Sequence, residues 1–544
     1  MDQNETFPGI DPELIPYLIA ANEPAEDEGA LAETDREGEE ESERLQVLRQ
    51  LVETSLLAGP DPDLVSELAG EVRAEAEEDD LEESGLRQDQ ELRDLEVRDA
   101  LRALTGELFA RAPEFRFTPS LDRVRMLVDM LGDPQNAYPS IHVAGTNGKT
   151  STARMIDALL GAFNLRVGRF TSPHLRDVRE RITVEGEPLS PSQFLAAWED
   201  IEPYVGMVDQ ASLREGGPAL SFFEVLTVMA FAAWADYPVD AAVIECGMGG
   251  IWDATNVVDS GVGVITSISM DHEQWLGDSL EMVAAEKAGI IKDKMVVVAQ
   301  HQQPEALEII EERVRATDSV LRIEGRDWEV VNRQVQGSGQ LLSIRTPAGI
   351  YTDLYLPLHG EHQARNAGAA LVAVEAMLGG EPVRSDLVDF GLQAVRSPGR
   401  LEMLRTSPAV IVDSAHNPAG AAALRGATEE VFDFEFTVGV YSAMADKKVE
   451  LVLSEMEPAL DELVVTEMEN PRAMPLDELV AIANDVFGED RVHERARLDE
   501  AVDRAAELVD SATSPHDAKG IFIFGSVMLA GEATALLAPD HELG

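Results

Sequence analysis

From about residue 118 onward, short apolar runs alternate with helical patterns, and this alternation restricts the fold more than any other feature of the chain. Runs at 141–144, 241–245, 262–266, 295–299, 410–413, 436–440, 463–466 and 521–524 have the length of buried strands. Helical periodicity fills the intervals, as at 151–163 and 221–235. Strands that are apolar throughout, with helices between them, belong to parallel sheets covered on both faces. An α/β fold with a mostly parallel sheet is therefore expected. The segment 340–371 reads instead as a hairpin followed by a helix, and the alternation restarts after a boundary near 395–400.

The first 110 residues differ in character, with 33 acidic residues against eight arginines and no lysine. So dense a charge of one sign leaves too little apolar surface to fold around. An acidic extension, largely disordered or helical, is expected over 1–115, with one amphipathic helix at 92–111 and no catalytic constellation. Deleting 1–110 is expected to cost little activity. The 544-residue chain carries a formal charge of −59, which repels nucleic-acid backbones and anionic membranes, so neither is an expected partner. Its most apolar stretch, 225–235, is 11 residues long, against the roughly 20 that span a bilayer. One cysteine, Cys246, excludes an intramolecular disulfide, and the acidic first residues do not resemble a signal peptide, so a cytoplasmic protein is expected. Only seven lysines occur against 36 arginines, which makes each lysine informative.

Three segments carry the chemistry. In IHVAGTNGKTSTARM (141–155) a strand passes through Gly145, Thr146, Asn147, Gly148, Lys149, Thr150 and Ser151 into a helix. The turn is two residues shorter than the usual phosphate loop, which would need glycine where Val143 stands. Backbone N–H groups and a helix N-terminus would still converge on one point suited to phosphate, with Lys149 beside it and Thr150 or Ser151 near a metal. Next, the run 241–245 ends on Glu245 before a glycine-rich turn, which sets a carboxylate at the carboxyl edge of a parallel sheet, where ligands bind. A hard Mg²⁺ ion shared with nucleotide phosphates needs one or two such groups. Third, Asp271 and His272 follow another strand, and the helix after them carries Glu286 and Lys287 beside Ala-Gly. Taken singly, that histidine is a hydrogen-bonding residue and that lysine an exposed one; taken together, the three segments meet at one sheet edge.

The ordered motifs AGTNGKTS, TSPHL, RERI, SFFEVLT, IECGMGGIWDATN, SMDHEQWLG, EKAGIIK, PLHGEHQARNA, SPGRLE, DSAHNP and GSVML carry a likeness between about 118 and 535. The chain resembles the folylpolyglutamate synthase/dihydrofolate synthase family, relatives of the Mur ligases, and most of all its actinobacterial members. The resemblance implies a Mur-ligase-like P-loop domain over 116–396 that binds ATP and folate, and a smaller Rossmann-like α/β ligase domain over 397–544. It also implies a monomeric ATP-dependent ligase. The γ-phosphate of ATP would pass to a carboxylate of dihydropteroate, of a reduced folate, or of both in turn, and the amine of L-glutamate would attack the acyl phosphate.

By matching motifs, ATP would lie on Gly145, Thr146, Asn147, Gly148, Lys149, Thr150 and Ser151, with Asn366, Arg400, Asp413 and His416. Two Mg²⁺ sites are implied, Ser172 and Glu245 serving the first and His272 the second, with Lys287 as a CO₂ adduct completing the ligands. Lys149, Lys287, His272 and Arg400 are the implied catalytic residues. Phe222, Phe223, Glu224, Trp252, Asp253 and Ala254 match the pteroate-binding region, and Ser526 would serve the substrate. Ile251 departs from the pattern, standing where many members have arginine. Without the motif context, the Phe222–Phe223 pair reads equally as helix core, Asp413 as a cap and Ser526 as an N-cap. Two other functions stay open: a Mur-type ligase adding an amino acid to a uridine-nucleotide peptide, and a non-catalytic nucleotide-binding scaffold.

Overall fold

The strands β1 (Ser140–Ala144), β2 (Val167–Phe170), β3 (Ile182–Val184), β4 (Glu187–Pro188), β5 (Ala241–Glu245), β6 (Val262–Ile265), β7 (Val296–Ala299) and β8 (Val320–Ile323) form one sheet. Their order is β4-β3-β2-β5-β1-β6-β7-β8, parallel from β2 to β8. Every residue of β1 and β5 is buried, as strands covered on both faces must be. The computed structural model describes residues 92–112, 119–515 and 518–538. Of the two units into which the chain divides, Met1–Leu95 and Glu96–Gly544, nearly all of these residues belong to the second.

A three-stranded antiparallel sheet follows, β9 (Glu329–Gln336), β10 (Gly339–Arg345) and β11 (Ile350–Leu356), which is the expected hairpin with one strand more. The last sheet holds β12 (Glu402–Thr406), β13 (Ala409–Val412), β14 (Phe436–Tyr441), β15 (Glu462–Val465), β16 (Val492–Glu494) and β17 (Lys519–Phe524). Its order is β12-β13-β17-β14-β15-β16, parallel except for β12. The chain thus has an α/β fold with a mostly parallel main sheet, as expected, and a second, mostly parallel sheet toward its carboxyl end. All eight strands read from apolar runs are present, their ends shifted by no more than two residues.

The acidic extension expected over 1–115 lies outside the described residues except for 92–112. A helix occupies 92–110 (α1). Leu104 and Leu108 on it are buried in the first hydrophobic core, beside the helix Pro191–Arg214. Just beyond it, Arg111 Nη1 donates to Asp209 at 2.9 Å and to the Leu220 carbonyl at 3.3 Å. The amide of Phe222 donates to the Ala112 carbonyl at 3.0 Å. Deleting 1–110 takes away two core leucines, a cost in stability that the expected small loss of activity does not include. Fully burying a leucine stabilises by about 1.5–3 kcal/mol, so this truncation is expected to cost about 3–6 kcal/mol. Thermal unfolding of the full chain and of the truncated chain checks this; equal midpoints would show that α1 adds nothing to the core.

Candidate active site

The connection from β1 leads to β2 on one side of the sheet, while that from β6 leads to β7 on the other. Between the carboxyl ends of these two neighbours lies a topological switch point, the crevice where open α/β sheets bind ligands. Gly145 leaves β1 with φ +148°, and a Cβ there would lie 1.8 Å from Thr266 Oγ1. Only glycine lets the two strand ends approach this closely. The loop is then pinned to the exit of β6: the Thr146 amide donates to the Ser267 carbonyl (2.9 Å), and its Oγ1 donates to that of Ser269 (3.0 Å). Helix α2 (Lys149–Ala162) begins after Gly148, whose φ is +86°, and no side chain caps it. Its first N–H groups and positive end therefore face the crevice, a ready site for an anion. Lys149 Nζ donates back to the Thr146 carbonyl at 3.1 Å, lying over the loop.

Glu245 ends β5, the other neighbour of β1, and is 1% exposed. Its carboxylate accepts from Thr150 Oγ1 (2.8 Å) and from the Ser172 amide (3.1 Å), so the loop hydroxyl, the TSPHL segment and the strand meet at one group. Burial raises its pKa, opposed by Lys149, by these two donors and by Arg400. An ionised carboxylate so placed is short of positive charge. Lys287, on helix α3 (Leu280–Ala288), is 5% exposed, and its Nζ donates to the Gly145 carbonyl at 2.8 Å. Burial first, and then the Lys149 charge, lower its pKa to about 7. His272 lies beyond β6 with φ +52°; burial lowers its pKa to about 3, which leaves a neutral imidazole with a lone pair to give.

The carboxyl-terminal half reaches the same crevice. Asn366, on α4 (Glu361–Met377), accepts from Gln300 Nε2 at 2.8 Å, and its Oδ1 would lie 2.7 Å from a Cβ at Gly148. The Ser151 hydroxyl bonds that of Ser397 at 3.0 Å. Asn417 and Asn147 exchange amide hydrogen bonds of 3.0 and 3.3 Å. Asp271 receives Lys447 Nζ at 2.7 Å and Asn417 Nδ2 at 3.2 Å, with His416 Nε2 at 3.5 Å. Half-buried Arg400 lies close enough to Glu245 and Asp413 to act on both electrostatically. Asp413 itself accepts from the amides of Leu401 and Ala415, both at 2.8 Å.

Residues 204–374 match the Mur ligase middle domain, and residues 399–526 the Mur ligase glutamate ligase domain. The chain is 49% identical over 452 residues to a dihydrofolate synthase/folylpolyglutamate synthase of Mycobacterium tuberculosis, covering 79% of this chain and 93% of that one. The chain belongs to the folylpolyglutamate synthase/dihydrofolate synthase family. A Bacillus subtilis dihydrofolate synthase/folylpolyglutamate synthase is 34% identical, across 69% of this chain and 88% of the relative. Among solved structures, the M. tuberculosis folylpolyglutamate synthase complexed with ADP superimposes with a TM-score of 0.79 at 47% identity, over 82% of this chain and all of that one. E. coli FolC in complex with DHPP and ADP gives a TM-score of 0.70 at 26% identity, over 81% of this chain and 98% of that one.

In this family member the positions matched to pteroate binding lie beneath the turn after Glu245. Phe222 and Phe223 open the helix Phe222–Asp236 in the first core and are only 6% and 9% exposed. The Phe223 ring fills the space a Cβ on Gly247 would take, at 2.5 Å. Glu224 is engaged within the fold, accepting from Arg123 Nη2 and from the Ser221 amide, both at 2.8 Å. Asp253 holds the turn through the amides of Met248 (2.8 Å) and Thr255 (3.0 Å), Ala254 follows it buried, and Trp252 packs against Gly249. Ile251 is exposed. Ser526 is an N-cap, accepting from the Met528 amide at 3.1 Å. Sequence reasoning passed over Asn417 and Lys447 as site residues, although one lies in the DSAHNP motif and the other is among seven lysines.

Proposed function

We propose that this ligase phosphorylates a carboxylate of dihydropteroate or of a reduced folate and joins the resulting acyl group to L-glutamate. The observation behind this reading is the convergence of Lys149, Glu245, Lys287 and His272 around the uncapped start of α2. ATP-dependent glutamate ligation is the chemistry of the family. A carboxylate oxygen takes the γ-phosphoryl group and ADP leaves; the glutamate nitrogen then bonds to the acyl carbon, the bond to phosphate breaks and the amine loses its proton. Such transfers depend on positioning and charge neutralisation. In this reading the Gly145–Ser151 loop and the start of α2 hold the phosphates, and Lys149 and Arg400 offset their charge. Asn366, Asp413 and His416 border the nucleotide.

Glu245 fits Mg²⁺ in kind, being a buried carboxylate whose raised pKa marks too little positive charge around it. His272 offers a neutral imidazole nitrogen, a softer donor than Mg²⁺ prefers, so its site would need oxygen ligands beside it. Among the described residues no three His, Cys, Asp or Glu gather as a metal site. A shared pair of sites would therefore need the Ser172 hydroxyl, phosphate oxygens and a Lys287 turned into a carbamate. Bound there, Mg²⁺ would neutralise charge on the transferring phosphoryl group. The single, buried Cys246 accords with a reducing, cytoplasmic setting.

Incubation with Mg-ATP, glutamate and one acceptor at a time tests the substrate. Phosphate release is expected with dihydropteroate or tetrahydrofolate; release only with a uridine-nucleotide peptide would sink the folate reading.

A further inference from the structure

Helix α1 carries an aromatic side chain that the core does not use. Leu104 and Leu108 are buried, whereas Phe109 is 54% exposed. Its ring lies 6.1 Å from that of His174, at 22° to it, and 5.2 Å from that of Phe222. The Arg181 guanidinium lies 5.0 Å over the Phe222 ring and donates to His174 Nδ1 at 2.8 Å. Four planar groups from four separate segments, α1, TSPHL, RERI and SFFE, therefore share one place. The apolar anchoring of α1 is already supplied by its leucines, so packing does not account for the half-open ring.

We propose that Phe109 is a specificity-determining residue: it forms the outer wall of the pterin subsite, against which the flat heterocycle of the acceptor stacks. The proposal rests on reading Phe222 and its neighbours as the pteroate region. Flat rings stack offset or edge-on at centroid separations of about 4.5–7 Å, the range in which these side chains already lie. A pterin fits such a wall, and so would an adenine; the kinetics separate them.

Full-length Phe109→Ala, Phe109→Trp and Phe222→Leu are compared in steady-state assays with dihydropteroate and tetrahydrofolate. Phe109→Ala is expected to raise the KM for the pterin substrate by roughly threefold to tenfold, the span of one stacking contact. The kcat and the KM values for ATP and glutamate should stay as they are, and Phe109→Trp should restore the pterin KM. An unchanged pterin KM in Phe109→Ala, alongside a raised one in Phe222→Leu, overturns the wall but leaves the subsite reading standing. If neither variant moves it, both readings fall. A rise in the KM for ATP instead assigns the wall to adenine and overturns the proposal, as does a lowered melting temperature with no kinetic change.

Discussion

Lys287→Ala is expected to lower kcat for glutamate ligation by at least about a hundredfold, the loss typical of removing one preorganised charged group from a transferring centre. The side chain is 5% exposed and its amine reaches the Gly145 carbonyl, at the root of the phosphate loop. Loss of the tether alone would loosen the loop, so the variant needs a companion measurement that reports on the CO₂ adduct proposed for Lys287. Carbamylation consumes a neutral amine. A lysine with its ordinary pKa is almost wholly protonated at neutral pH, but burial and Lys149 bring Lys287 to about 7. The neutral fraction rises as pH rises through that value, so the adduct should form more readily at about pH 8 than at about pH 6. Enzyme depleted of CO₂ is expected to lose activity and to regain it with bicarbonate, faster at the higher pH. Carbon-13-labelled bicarbonate should give one protein-bound carbamate signal, missing in Lys287→Ala. Full activity with an unmodified Lys287 in the metal-loaded enzyme would remove the adduct from the mechanism.

The parts legible in the sequence are those where one residue type serves both fold and site. β1 and β5 are buried along their whole length and mostly apolar, so their positions, and that of Glu245 at the end of β5, followed from the pattern. β2 was hidden because two of its four residues are Gly168 and Arg169. Gly168 gives way to the Trp234 ring, which would lie 2.5 Å from a Cβ, and buried Arg169 is matched by Asp157 on α2. Neither compensation is local in sequence. β9 was missed for the opposite reason, being largely exposed. Likewise α1 belongs to the core through Leu104 and Leu108, two residues inside a segment whose overall charge reads as solvated. At the site, motif order located the loop, Glu245, His272 and Lys287. The approach of Asn417 and Lys447 to the opposite half depends on how two distant segments pack, which spacing along the chain does not encode.

Asp271→Ala is expected to weaken the closure of the carboxyl-terminal half over the phosphate loop and to destabilise the protein by about 3 kcal/mol, the lower end of the cost of breaking a buried ion pair. Asp271 and Lys447 side chains are each 9% exposed, so water cannot replace the lost partner. Burial opposes ionisation of Asp271, but the hydrogen bond from His416 and the charge of Lys447 hold its carboxyl well below the usual carboxylate range. The same carboxylate accepts from the His272 amide at 2.8 Å and from Asn417, which in turn exchanges hydrogen bonds with Asn147 of the loop. A single group therefore sets the histidine and joins the loop to the opposite half. Lys447→Met should be nearly as destabilising, because it strands the carboxylate. The double variant removes both charges and should fall short of the sum of the two losses by roughly 1.5–3 kcal/mol. Denaturant unfolding of the four proteins measures this coupling, which should persist in high salt because a buried pair is weakly screened. Additive losses would mean that Asp271 and Lys447 act separately, and closure would then rest on the Asn147–Asn417 pair and the Ser151–Ser397 bond.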